Sequence, residues 1–96
     1  MFTAKEAFEE ASMNRDILCE LHLKLDARFI DKWIRKNVRA GRYEVWIPWD
    51  RLTCNNERER KLLFDTYEAR GFKIEFKYKE GWGHYVISWE QDEEQN

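Results

Sequence analysis

The chain has 96 residues, 43% of them apolar and 38% charged, with 17 basic against 19 acidic side chains and a net charge of −2. That length makes one small domain, and 5 Trp, 4 Tyr and 6 Phe with near-balanced charge exclude a disordered chain. No apolar run approaches the roughly 20 residues of a membrane span, and the charged opening MFTAKEAFEE predicts a protein that is not secreted.

Thr3 followed by Glu6 has the spacing of a capping box, and Ala4, Phe8 and Ala11 repeat at helical intervals, which predicts a helix over 3–12. The polar stretch Ser12–Asp16 reads equally as a break or as a weak point in one longer helix. A second helical segment runs over 17–40 and closes at Gly41. Its expected core stripe is Leu23, Ala27, Ile30, Ile34 and Val38, flanked by Trp33 and Cys19. Leu18, Leu21 and Leu25 fall on another side, shared with Lys32, Arg35 and Arg39.

Tyr43–Pro48 reads as a strand stopped by its proline. Asn56 with Glu59 opens a helix that runs to about residue 70, burying Leu62 or Leu63 together with Tyr67. Residues 72–79 alternate without a fault, placing Phe72, Ile74, Phe76 and Tyr78 on one face as expected core. A turn at Glu80-Gly81-Trp82-Gly83 joins them to His84–Trp89 as a hairpin. The fold class is therefore α+β, in the order α-α-β-α-β-β. A three-stranded sheet with a C-terminal hairpin is covered on one face by helices, as three strands require. The domain occupies 1–89, and 90–96 read as an acidic, disordered tail.

Cys19 and Cys54 stand far apart with no framework spacing, which fits free thiols in a reducing cytoplasm. Together with His22 and His84 they could supply zinc ligands, but a structural site normally shows two close ligand pairs and only Cys19-x-x-His22 is close. Cys54 and His84 as nucleophile and base lack a group to orient the base. No phosphate-binding loop, dinucleotide fingerprint or nucleophile elbow occurs. The expectation is a protein without catalytic residues, metal or cofactor.

Three surface features remain. Trp46, Trp49 and Trp82, with Arg42 nearby, are surplus to the expected core and have the composition of protein-binding anchors. The ordinary alternative for Trp46 is partial cover by the hairpin. Lys32, Arg35, Lys36 and Arg39 share a helix face, and Lys73, Lys77 and Lys79 line the polar side of a hairpin strand. With interleaved indoles they could hold phosphates and bases, although the pI near 5.7 argues against a dedicated nucleic-acid binder, and a solvated face is the plainer account. Leu18, Leu21 and Leu25 would either be covered by the first helical segment folding back or join two copies as a homo-oligomer.

The segments TAKEA, VRAGRYEVWI, GFKIEFKY and YVISW give the chain a pattern that resembles small uncharacterised proteins of tailed bacteriophages, over nearly all of residues 3–89. The high Trp content and the stretch PWDRLTCNN depart from that pattern. The resemblance implies an α+β fold with no established activity, hence no catalytic residues to transfer. It further implies a cytoplasmic location in a bacterial host cell and a partner among host or defence proteins, which the phage product would bind and alter.

Overall fold

The structure, a computed structural model, describes residues 1–91. Helix α1 (Ala4–Arg39) is followed by strand β1 (Glu44–Pro48), a 3-10 turn (Trp49–Arg51), helix α2 (Glu57–Glu68), and the strands β2 (Lys73–Lys79) and β3 (Trp82–Ser88). The two helical segments read at 3–12 and 17–40 are one continuous helix. Ser12, Asn14 and Asp16 each cost a helix only tenths of a kcal/mol, roughly, and neither glycine nor proline interrupts the run. Thr3 caps the helix, its hydroxyl oxygen accepting from the Glu6 amide at 3.1 Å. At the other end Gly41, at φ +75°, turns the chain so that the Arg42 amide donates to the Asn37 carbonyl at 2.9 Å. At 1.5 Å per residue the 36 residues span about 54 Å, most of the protein's 64 Å long dimension.

The sheet is antiparallel in the order β1-β3-β2. Its register sets Val45, Ile87 and Ile74 abreast on one face, with Ile47, Tyr85 and Phe76 in the next row. Helices α1 and α2 cover that face. Ile30, Ile34, Leu63, Phe64 and Tyr67 from the helices meet Val45, Ile47 and Ile87, with Leu52 and Cys54 filling in from the connection before α2. The opposite face is open, and carries Glu44, Trp46, His84, Glu75 and Lys77.

The loop before α2 is held to α1 by one buried carboxylate. Asp26 is 2% exposed and accepts from the Thr53 amide, the Thr53 hydroxyl and the Cys54 amide, each at 2.8 Å. Nearby, the buried Tyr67 hydroxyl donates to Asp31 Oδ1 at 2.8 Å and lies 3.1 Å from the Ala27 carbonyl.

Several expected core positions are corrected. Val38 is exposed, and Asn37 takes its place on the buried line, bonding the Trp33 carbonyl and the Arg42 guanidinium. Of the two alternatives on α2, Leu62 or Leu63, it is Leu63 that is buried, as one of them has it. Phe76 and Tyr78 are 46% and 76% exposed, because the hairpin extends past the helical layer that buries the Ile87 end of the sheet. Leu18, Leu21 and Leu25 are also exposed: a continuous helix has no first segment to fold back over them. The tail read at 90–96 lies, from residue 92 on, outside the described residues.

Candidate interaction surface

Pro48 ends β1, and the 3-10 turn after it brings Trp49 round to the helix-covered side of the sheet, against Gly83 and Phe76. Arg60 on α2 fixes it there. Its Nε donates to the Cys54 carbonyl at 2.8 Å, Nη1 to the Tyr85 hydroxyl at 3.1 Å and Nη2 to the Trp49 carbonyl at 3.1 Å. The guanidinium carbon also stands 5.6 Å from the indole centroid and 5.5 Å from that of Tyr85, within cation–π range. Gly83 makes the close approach possible: a Cβ there would come within 2.5 Å of Phe76 Cζ and 3.1 Å of Trp49 Cδ1.

From that point a chain of rings leads outward. Buried Phe64 touches Tyr85 at 4.5 Å between centroids, Tyr85 touches Phe76 at 5.0 Å, and Phe76 meets Tyr78 edge-on at 5.0 Å. The result is an exposed ridge of Trp49, Phe76 and Tyr78, rooted in the core and braced by Arg60. Trp82, 59% exposed, stands at the same end of the hairpin but on the open face, since it pairs with Lys79.

Trp46 is held differently. It lies on the open face over buried Val86, its Nε1 donating to Glu44 at 3.0 Å. The His84 ring packs edge-on at 5.7 Å, and Lys77 and Lys79 bring their Nζ atoms to 5.8 and 5.6 Å from its ring. Partial cover by the hairpin is thus what Trp46 has. With Arg42, Trp33, Lys36 and Lys73 it borders a broad open hollow between the end of α1 and the sheet. The expected binding set therefore divides: Trp46 and Arg42 share the hollow, Trp82 stands further along the open face, and Trp49 faces the other side.

The basic groups form two sets that meet at Lys36. Lys32, Arg35, Lys36 and Arg39 do share one exposed face of α1. Lys73 borders the hollow with Lys36, whereas Lys77 pairs with Glu75 at 3.4 Å and covers Trp46.

The histidines and cysteines do not assemble into one centre. His22 pairs with buried Glu59 at 3.2 Å, while His84 is on the open face and Cys54 in the core beneath the other. Among the described residues no three His, Cys, Asp or Glu side chains converge as metal ligands. Burial and the Asp26 carboxylate push the Cys54 thiol well above its ordinary range, so it stays neutral and is a poor nucleophile. Burial and the Asp31 hydrogen bond raise the Tyr67 hydroxyl in the same way.

Both groups favour the folded state as long as they stay protonated, so their contribution is complete below the ordinary values of 9.0 and 10.0. Above them the unfolded chain releases protons that the folded chain retains, and stability falls. The urea midpoint is expected to drop as the pH passes from 9 to 11, and to drop less steeply in a Cys54→Ala/Tyr67→Phe variant. A midpoint independent of pH over that range would contradict the assignment.

Arg60, Gly83, Phe76 and Tyr78 were not among the residues expected at a binding surface. Gly83, read as part of the turn, belongs with Trp82 to β3; a glycine between aromatic residues was the one available signal, since an interior strand glycine often marks a close approach. No helix of the described residues is long and apolar enough to cross a membrane. No protein-family model, curated protein or solved structure matches the chain.

Proposed function

We propose that this is a non-catalytic binding protein that docks another protein on the ridge of Trp49, Phe76 and Tyr78. The supporting observation is the rigid placement of Trp49 by Arg60, next to two further exposed rings. Large aromatic side chains held in one position lose little entropy on binding, and such residues dominate binding energy at protein interfaces. The resemblance to phage proteins makes a bacterial host or defence protein in the cytoplasm the partner to test, with altered partner activity as the outcome. The nucleic-acid alternative has less support, because Glu44, Glu75 and Glu90 line the hollow among its basic side chains and Lys77 is already paired with Glu75.

The test compares wild type with a Trp49→Ser/Tyr78→Ser variant, both checked for intact helix content, as bait in bacterial lysate. A protein retained by wild type and lost by the variant is then purified, and the variant is expected to bind it at least about tenfold more weakly. Identical capture by both baits would sink the ridge.

A further inference from the structure

Along α1 a stripe of residues spaced alternately three and four apart runs almost the whole length of the helix, and every member is exposed. Its N-terminal part is small, Ala4, Ala7 and Ala11, and is followed by the polar Asn14. Its middle is Leu18, Leu21 and Leu25, which are 50%, 49% and 44% exposed. Its C-terminal third is long and basic: Arg28, Lys32 and Arg35. This is the a/d spacing of a coiled-coil seam, on a different side of the helix from the buried residues Cys19, Ile30 and Ile34.

We propose that two copies of this chain pair through the seam as an antiparallel helical dimer. Size and charge decide the orientation. With Leu18 against the partner's Leu21, the antiparallel register sets Leu25 opposite the partner's Asn14, Arg28 opposite the partner's Ala11, Lys32 opposite the partner's Ala7 and Arg35 opposite the partner's Ala4. Each long side chain then lays its apolar stem over a methyl group and carries its charge outward. Glu10, which flanks the seam, comes beside the partner's Arg28. A parallel pair would stack Arg28, Lys32 and Arg35 on their own copies, setting like charges in register along a third of the seam. The dimer is independent of the aromatic ridge, which lies on the sheet and not on this seam.

Equilibrium sedimentation of the full chain tests it. At about 100 µM the wild type is expected to approach twice its 11.9 kDa mass. A Leu18→Glu/Leu21→Glu variant with unchanged helix content is expected to associate about a hundredfold more weakly, since pairing would bury unpaired carboxylates. For orientation, an Ala7→Cys chain mixed with a Lys32→Cys chain should oxidise to the mixed disulfide, faster than Ala7→Cys alone forms its own. A wild-type monomer at that concentration overturns the proposal, as does undiminished association of the glutamate variant. Preferential self-bridging of Ala7→Cys overturns the antiparallel register.

Discussion

Replacing Asp26 by Ala is expected to remove about 3–5 kcal/mol of stability, the largest loss from any single polar side chain in the domain. Its carboxylate accepts three hydrogen bonds, two of them from consecutive backbone amides that point into the structure. Without it the Cys54 amide is buried with no acceptor, and each such orphan costs roughly 1–3 kcal/mol. The loop it holds carries Leu52 and Cys54 into the core, so the loss spreads to packing. Set against a total of about 5–15 kcal/mol for a domain of this kind, that loss is a large fraction of the stability. Asp26→Asn keeps one acceptor but turns an NH2 group toward donors, and should recover less than half. Urea denaturation gives the numbers; a loss below about 1 kcal/mol for Asp26→Ala would show that water replaces the carboxylate.

Arg60→Ala is expected to cost about 2 kcal/mol and to release Trp49. The guanidinium joins three elements at once: the loop at Cys54, the 3-10 turn at Trp49 and β3 at Tyr85. Its loss leaves the Cys54 carbonyl without that donor and removes the charge from between two rings. The Trp49 indole should then move freely in solvent, which shifts tryptophan emission to the red, and the shift should vanish in a Trp49→Phe background. Arg60→Lys restores the charge but not the planar fork that reaches three acceptors, so it should recover little. An unchanged emission spectrum in Arg60→Ala would mean that Gly83 and Phe76 alone hold the indole.

Both residues illustrate what periodicity leaves out. Alternation in residues 72–79 assigns Ile74, Phe76 and Tyr78 to one face correctly. It says nothing of where the covering layer stops, and so the outer two rings were counted as core. Cap chemistry located both helix starts, because Thr3 and Asn56 act through neighbours three residues away. Asp26 and Arg60 act across 27 and 25 residues, respectively, on Thr53 and Tyr85, and within their own segments they look like ordinary helix-surface charges. The same distinction holds for α1. The leucines at 18, 21 and 25 were visible as a separate apolar side, but their exposure depended on whether the polar stretch before them bends, which local propensity differences of tenths of a kcal/mol, roughly, do not decide.

The length of α1 bears on how tightly the protein could grip a target. The ridge belongs to the sheet domain packed on the C-terminal half of this helix, and an antiparallel pair would set one such domain near either end of a common rod. Two docking sites at a fixed separation engage a symmetric or repeating partner with an avidity that neither reaches alone, and the rigid spacer confines that gain to targets with matching spacing.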